Sequence, residues 1–234
     1  TAFNGPVTFN MTSGTTETAA AQITLTQAGS MLYPIVFQKS GALANPKLTR
    51  TDAGTNTTAA LGAFGDGVLR IDGTDNITFN GLDLAASNQG IEYGYYIHKP
   101  NTTNGCQSLT IKNAVVTMTK GTNAYVTGIY LGNGQTSLTA SDGLVISAAS
   151  GRHYNITLTG NTIQNVSYGI VHYGCYISTR SLRDKNIFIG QTGAGNGNII
   201  QNFGGGVAST SYGVYDKYAD TLRIENNTIN NIGG

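Results

Sequence analysis

The segment 155–163 has the sequence NITLTGNTI, and it is followed at 168–170 by YGI. Apolar and polar residues alternate on both sides of a Gly-Asn pair, which is the pattern of two short strands joined by a tight polar turn. Gly169 then opens a third apolar segment. The stretch predicts a unit of three short strands, and such a unit needs neighbouring units to bury its apolar face.

Similar units recur before and after this one. Their first strands lie at 76–80, 108–113, 186–190 and 221–226, and their glycine-led strands contain Gly94, Gly128, Gly169 and Gly213. The glycines are 34, 41 and 44 residues apart, and periods of about 20–50 residues indicate a solenoid, a propeller or an array. A propeller blade has four strands joined by hairpin turns, whereas these units have three strands and Gly or Asn corners. The sequence therefore predicts an all-β chain folded as a right-handed parallel β-helix with variable corner loops.

Alternation within the first strands predicts which side chains point into the β-helix. The expected inward pairs are Ile77/Phe79, Leu109/Ile111, Ile156/Leu158, Ile187/Ile189 and Leu222/Ile224, with Thr78, Thr110, Thr157, Phe188 and Arg223 pointing outward. An asparagine follows most of these strands, where its amide can bond the backbone and tolerate left-handed geometry. Stacked over several coils, Asn80, Asn113, Asn161 and Asn226 are expected to form one asparagine ladder.

The N-terminal part of the chain is strand-rich but less regular. Residues 1–67 are predicted to form a cap or the first coils, and residues 68–234 the regular coils, which we expect to continue beyond the fragment. The two cysteines, Cys106 and Cys175, fall about two coils apart in this register. Since neighbouring coils are ~4.8 Å apart, their Cα atoms are expected to lie beyond easy disulfide reach, and unpaired thiols are predicted.

The composition excludes two classes of partner. Charged residues make up 11% of the chain and the net charge is +1, so there is no basic surface of the kind that binds nucleic acid or anionic lipid. No apolar run approaches the ~20 residues that a membrane-spanning helix needs. We therefore expect neither nucleic-acid binding nor membrane insertion.

Tyrosines flank the glycine-led strands. Alternation predicts that Tyr96, Tyr130 and Tyr215 point outward in successive coils, and an exposed aromatic strip can stack on sugar rings or form a protein interface. Alternatively, loops cover the strip or the stacked rings support the sheet. We predict that these three tyrosines contribute to binding.

Polar and charged residues gather where the same strands end. His98, His172, Asp216 and Lys217 occupy related positions, and the loop at 180–184 adds two arginines and an aspartate. This set predicts a polar patch with a base and a cation clamp, and the alternative is solvated residues at strand ends. No residue is assigned a catalytic role, and no metal-ligand spacing is found.

The segments 6–10 (PVTFN), 13–15 (SGT), 33–41 (YPIVFQKSG) and 69–82 (LRIDGTDNITFNGL) resemble the opening of large secreted β-helix proteins. Those proteins lie on the surface of Bacteroidetes-type Gram-negative bacteria and are often exported by type IX secretion. The family includes adhesin-like repeats, structural stalks and some polysaccharide-acting members, so the resemblance implies an extracellular or cell-surface location. The tripeptide at 220–222 resembles the O-glycosylation signal of the same bacteria, which implies modification of Thr221.

The sequence predicts a non-catalytic, structural or adhesive β-helix segment of a larger cell-surface or fibre protein. Its expected partners are glycans, other cell-surface proteins or further copies stacked coil on coil, and no cofactor is expected. The alternative is a polysaccharide-binding or polysaccharide-degrading β-helix, either a lyase or a hydrolase. A hydrolase needs two or three carboxylates at defined separations, and a lyase needs calcium ligands with a base.

Overall fold

The computed structural model describes residues 4–55, 65–121, 125–133, 143–205 and 210–231. Strands make up 49% of the structure and helix 3%, the latter as two single 3-10 turns at Ala149–Gly151 and Arg180–Leu182. The strands form three parallel sheets that wind as a right-handed parallel β-helix, which confirms the predicted fold.

Each coil contributes one strand to each of three sheets, here named A, B and C. Sheet A contains β1 (Val7–Thr12), β4 (Ile35–Ser40), β7 (Asp75–Asn80), β10 (Gln107–Lys112), β13 (Tyr154–Thr159), β16 (Lys185–Ile189) and β19 (Leu222–Ile224). Sheet B contains β2 (Thr16–Ala19), β5 (Lys47–Arg50), β8 (Asp83–Ala86), β11 (Val115–Thr117), β14 (Thr162–Val166), β17 (Ile199–Phe203) and β20 (Thr228–Asn230). Sheet C contains β3 (Ile23–Leu25), β6 (Gly67–Asp72), β9 (Tyr93–His98), β12 (Thr127–Leu131), β15 (Tyr168–Tyr173) and β18 (Val214–Lys217).

The inward pairs of sheet A stack as predicted. Ile77 aligns with Leu109, Ile156, Ile187 and Leu222 in successive coils, and Phe79 aligns with Ile111, Leu158, Ile189 and Ile224. All of these except the pair in β19 are buried in the main core. Because the side-chain period of a strand is two, one alternating segment fixes the inward column of every coil that pairs with it.

The glycine-led strands form a column of close contacts between coils. A Cβ atom at Gly169 would lie 2.3 Å from the carbonyl oxygen of Gly213 and 2.5 Å from Cγ2 of Ile200. A Cβ atom at Gly94 would likewise lie 2.5 Å from the carbonyl oxygen of Gly128. Glycine is required here because sheet C approaches both the next coil and the inward side chains of sheet B.

The asparagine ladder exists, but the predicted membership is wrong. Asn80 ends β7, whereas Asn113 and Asn226 have φ values of 56° and 61° in the left-handed turn that follows the sheet A strand. Glycines occupy that turn position in two other coils, at Gly81 and Gly160. The four asparagines therefore occupy different positions of the coil, since Asn80, Asn113, Asn161 and Asn226 stand one, two, three and two residues after the aligned inward residue of sheet A.

The members of the observed ladder lie at the last corner position before sheet B. Asn161, Asn198 and Asn227 align there, since each immediately precedes a strand of sheet B. The Nδ2 group of Asn161 donates to Oδ1 of Asn198 at 3.0 Å, and Nδ2 of Asn198 donates to Oδ1 of Asn227 at 2.9 Å. The ladder thus connects three consecutive corners through side-chain amides.

The first coils belong to the same sheets as the rest of the chain. Strands β1 to β5, within the region 1–67, pair in parallel with the strands of the following coils. Cys106 and Cys175 are both buried and unpaired, as predicted.

Candidate functional site

The seven residues predicted to bind lie on sheet C, but on its two opposite faces. His172 aligns with Leu131 and Asp216, so both His172 and Asp216 point inward. The other five point outward, namely Tyr96, His98, Tyr130, Tyr215 and Lys217. The structure therefore does not bring the seven residues together as one patch.

The expected exposure of the tyrosine strip is wrong for its first two members. Tyr96 and Tyr130 are each 1% exposed and belong to a second buried cluster that includes Tyr93 and Tyr173. The ring centroids of Tyr93 and Tyr130 are 4.5 Å apart. Tyr215 is half-buried and its ring centroid lies 6.4 Å from that of Tyr173. Alternation identified the outward face correctly, but a sheet that is covered on both faces buries both sets of side chains.

His98 and Lys217 each have partners on this outer face. Nδ1 of His98 lies 2.6 Å from Oδ1 of Asp72. Burial lowers the pKa of His98 below its ordinary value, although the hydrogen bond with Asp72 opposes this shift. The ammonium group of Lys217 lies 5.4 Å from the ring centroid of Tyr173, in a cation–π geometry.

A network of ionisable and amide side chains occupies the inner corner where sheet C ends and sheet A begins. This corner network consists of Lys99, Asn133, His153, His172, Asp184 and Asp216. Its residues come from four successive coils. Five of the six are essentially inaccessible, and the side chain of Asp216 is 21% exposed.

Asp184 lies at the centre of the corner network. The Nζ atom of Lys99 lies 2.6 and 2.9 Å from the two carboxylate oxygens of Asp184, and it also donates to Oδ1 of Asn133 at 3.0 Å. The backbone N–H of His153 donates to Asp184 at 2.7 Å. Burial alone would raise the pKa of Asp184, but the charge of Lys99 and the hydrogen bond from His172 hold it well below its usual range.

His172 bridges two carboxylates. Its Nε2 atom lies 2.9 Å from Oδ2 of Asp184, and its Nδ1 atom lies 2.6 Å from Oδ1 of Asp216. Burial disfavours the charged ring, but the hydrogen bonds and charges of the two carboxylates outweigh it and raise the pKa to about 9. His172 is therefore an imidazolium at neutral pH. Two cations face two carboxylates, which is the balance that a buried ionic cluster requires.

The second histidine of the corner network is neutral. Its Nδ1 atom accepts the backbone N–H of Cys106 at 3.1 Å, so its Nε2–H donates to the carbonyl oxygen of Gly132 at 3.2 Å. Burial and the nearby charge of Lys99 lower the pKa of His153 to about 3. The two buried histidines thus have opposite charge states because only one of them faces carboxylates.

Sequence reasoning identified part of this network and missed the rest. His172, Asp184 and Asp216 do meet, but inside the coils, so neither an exposed patch nor solvated strand ends describes them. Arg180 and Arg183 lie outside the network, the first paired with Asp220 at 3.2 Å and the second bonded to the carbonyl oxygen of Ile177. The residues of the network that were not predicted as site residues are Lys99, Asn133 and His153. The first two lie two positions beyond the inward residues Ile97 and Leu131, so extending the alternation by one step would have found them.

A second buried ionic cluster lies at the corner that leads into sheet C. Arg50 pairs with Asp52 at 2.6 Å and with Asp66 at 2.5 Å, and the backbone N–H of Asp66 donates to Glu92 at 3.0 Å. Burial and a hydrogen bond with Glu92 raise the pKa of Asp66 to about 7, against the opposing effect of Arg50. No group of three or more His, Cys, Asp or Glu side chains suited to a metal ion occurs among the residues that the structure describes.

The outer face of sheet A carries a groove of about 400 Å³, here called the sheet A groove. Phe188, Gly190 and Arg223 are among the residues that line it. The loop 191–197 forms one wall, and two hydrogen bonds fix it. Oγ1 of Thr159 donates to the carbonyl oxygen of Asn196, and Nδ2 of Asn226 donates to the carbonyl oxygen of Gly193. This wall is therefore pre-formed.

Charge in the sheet A groove is internally neutralised. Nε of Arg223 donates to Oε1 of Glu225 at 2.8 Å. Glu225 is the one carboxylate among the described residues that line the groove. Thr221, the predicted glycosylation site, is half-buried just before β19, and its carbonyl oxygen accepts the N–H of Ile187 at 3.0 Å. Its modification stays a prediction.

Comparison with protein-family models, with curated protein sequences and with solved structures finds no match to this chain. The resemblance to bacterial surface proteins and the location that it implies therefore stay predictions. Across the described ranges, no helix is long and apolar enough to cross a bilayer.

Proposed function

We propose that this chain is a rigid, non-catalytic structural or adhesive β-helix segment of a larger extracellular or cell-surface protein. The observation that supports the proposal is the placement of its ionisable side chains. A general acid or base must come within hydrogen-bond reach of its substrate. His172 and Asp184 are fully buried and are bonded to other side chains of the corner network.

The same contacts stiffen the coil stack. The corner network joins residues of four coils, and the asparagine ladder joins three further corners on another edge. Polar networks with satisfied partners rigidify a core and specify one packing. In a repeat protein each coil contacts only its neighbours, so contacts that reach across several coils oppose bending and local opening.

We further propose that the segment extends by head-to-tail stacking on a second copy of this chain. The inward columns are open at both ends of the described coils, where Phe9, Ile23, Ile224 and Ile229 are between 42% and 48% exposed. Phe9 and Ile224 belong to one column, so a second copy continues the column of the first. The sheet B column is an exception, because its first residue is the charged Glu17 while its last is the apolar Ile229.

Sedimentation velocity over a range of protein concentrations, with electron microscopy of the same samples, tests the stacking. Ile224→Lys should abolish end-on particles because it places a charge on the apolar column, and Glu17→Leu should strengthen them. Ile199→Lys is the matched control, since Ile199 is equally exposed but lies on the outer side of sheet B. A monomer at every concentration, or equal effects of the two lysine variants, would contradict stacking.

A second candidate function, glycan binding, is favoured by the sheet A groove. Its volume lies within the ~300–1,000 Å³ typical of small-molecule sites, and Phe188 offers a ring on which a sugar can stack. The internal pairing of Arg223 with Glu225 suits a neutral ligand. A single lining carboxylate favours binding over hydrolysis, which uses two.

Calorimetric titration with cellohexaose, xylohexaose and mannohexaose tests this second candidate. Phe188→Ala should abolish binding of whichever oligosaccharide binds the unmodified chain. Tyr176→Ala, which removes an exposed ring outside the groove, should leave binding unchanged. Absence of heat with all three sugars, or loss of binding in both variants, would remove the groove as a glycan site. Release of new reducing ends would instead favour the degrading alternative.

A further inference from the structure

We propose that Lys99 and Asn133 join through an intramolecular isopeptide bond, with Asp184 transferring a proton from the amine to the leaving nitrogen. This modification is independent of the scaffold role proposed above. It concerns a group of three side chains that the described contacts bring together and that no surface ligand can reach.

The geometry places an amine, a carboxamide and a carboxylate in contact. Nζ of Lys99 lies 3.0 Å from Oδ1 of Asn133 and 2.6 Å from Oδ1 of Asp184. Lys99 and Asn133 occupy equivalent positions in neighbouring coils, two residues beyond the paired inward residues Ile97 and Leu131. Their backbones are therefore held side by side by the sheet, and the two side chains meet without any large rearrangement.

A hydrogen bond from its nitrogen atom orients the carboxamide of Asn133. Nδ2 of Asn133 donates to the carbonyl oxygen of Leu144 at 2.8 Å, while Oδ1 faces the lysine. The three side chains are at most 1% exposed. Water, which would compete as a nucleophile and hydrolyse an activated amide, is excluded from the group.

The reaction balances without an external reagent. The carboxylate of Asp184 takes one proton from the Lys99 ammonium, and the neutral Nζ atom attacks Cγ of Asn133 to form a new C–N bond. Asp184 returns this proton to Nδ2 as the original C–N bond breaks. The second proton that Nζ loses leaves with the released nitrogen as ammonium. Asp184 ends as a carboxylate, and no atom is oxidised or reduced.

The surrounding contacts predict that the isopeptide bond forms slowly and once in each molecule. Hydrogen bonds from His172 and from the backbone of His153 fix the orientation of Asp184 and favour its charged form, so the first proton transfer is uphill. The short distance between the amine and the carboxamide compensates for this unfavourable step, because well-oriented intramolecular reactions reach effective molarities of ~10⁵–10⁸ M. The bond would tie two adjacent coils covalently across a separation of 34 residues.

Intact-mass spectrometry of the folded, purified chain tests the proposal, followed by chymotryptic peptide mapping. The expected mass is lower than the sequence mass by one ammonia molecule, and a branched peptide should contain both Lys99 and Asn133. Lys99→Arg keeps the cation and should restore the full mass. Asp184→Asn should also restore it, and circular dichroism of both variants shows whether the fold is retained.

A second lysine provides a control within the same molecule. Nζ of Lys120 lies 2.8 Å from Oδ1 of Asn202, but its described contacts include no carboxylate. This pair should stay unlinked, because proximity without a proton carrier does not suffice. Full mass in the unmodified chain after prolonged incubation would overturn the proposal. So would loss of ammonia without a branched peptide, since a succinimide at the Asn-Gly sequence that begins at Asn133 gives the same mass change.

Discussion

Removing the central amide of the asparagine ladder should destabilise the β-helix strongly. The side chain of Asn198 makes four hydrogen bonds inside the corner between sheets A and B. Its Oδ1 accepts from N and Nδ2 of Asn161 at 3.1 and 3.0 Å, and its Nδ2 donates to Leu158 O at 2.8 Å and to Asn227 Oδ1 at 2.9 Å. The change Asn198→Ala removes all four at a fully buried position.

The magnitude follows from these contacts. A hydrogen bond contributes about 1 kcal/mol net, so the three bonds whose partner groups keep another bond give about 3 kcal/mol. Three of the partner groups keep another bond, because Asn161 Nδ2 still donates to Ile111, Leu158 O still accepts from Gly190 and Asn227 Oδ1 still accepts from the Asn198 backbone. The backbone N–H of Asn161 loses its acceptor, and a buried unsatisfied donor costs about 1–3 kcal/mol. The two contributions add up to an expected loss of about 4–6 kcal/mol in the free energy of unfolding.

Equilibrium urea unfolding, followed by circular dichroism, measures this loss. Because repeat proteins open in segments, hydrogen exchange of the Asn161 amide should be followed in parallel and should accelerate by several orders of magnitude. Asn10→Ala is the control, since Asn10 is exposed and accepts one bond from Gln38, and surface substitutions usually change stability by less than ~0.5 kcal/mol. A loss below about 1 kcal/mol for Asn198→Ala, with an unchanged m-value, would refute the reasoning.

Three further outcomes are expected in measurements of stability. Gly169→Ala places a methyl group 2.3 Å from a backbone oxygen and should cost at least about 1–3 kcal/mol, whereas Gly5→Ala meets nothing within 4 Å and should be neutral; equal effects would contradict the glycine column. The pKa of His172 is raised from 6.5 to about 9 on folding, so its stabilisation is complete below pH 6.5 and is lost as the pH rises through 9. The stability gap between the unmodified chain and His172→Gln should therefore close over this window, and a pH-independent gap would count against the imidazolium. Tyr130→Ala removes a ring that is 1% exposed and should lower stability by about 3–5 kcal/mol in thermal unfolding, while Tyr176→Ala, at 62% exposed, should change it little.

The parts of the fold that sequence reasoning predicted are those that depend on local period. Alternation in NITLTGNTI placed Ile156 and Leu158 inward, and the same pattern in other coils aligned them in register. The glycine of YGI marked a strand that approaches the next coil, and the contacts of Gly169 show why a side chain does not fit there. Both features follow from the two-residue period of a strand and the size of a side chain.

The candidate site was harder to predict because its members are adjacent in space and distant in sequence. Lys99 and Asp184 are 85 residues apart, and no local pattern joins them. The asparagine ladder failed in detail because the corners contain several asparagines, and Asn161 lies one position later in its corner than Asn113 does in its own. Tyr96 and Tyr130 were placed on the correct face, but their burial depends on what covers that face.

The sequence by itself determined the parallel β-helix, the inward columns and the glycine column, because each depends on residues within one strand and its repeat. Only the tertiary structure decided that His172 and Asp216 meet Asp184, that Lys99 contacts Asn133 and that the tyrosine strip is buried. The physical reason is that charge and burial depend on which coils and corners lie against one another. Corner loops of unequal length set that arrangement, and their lengths carry no periodic signal.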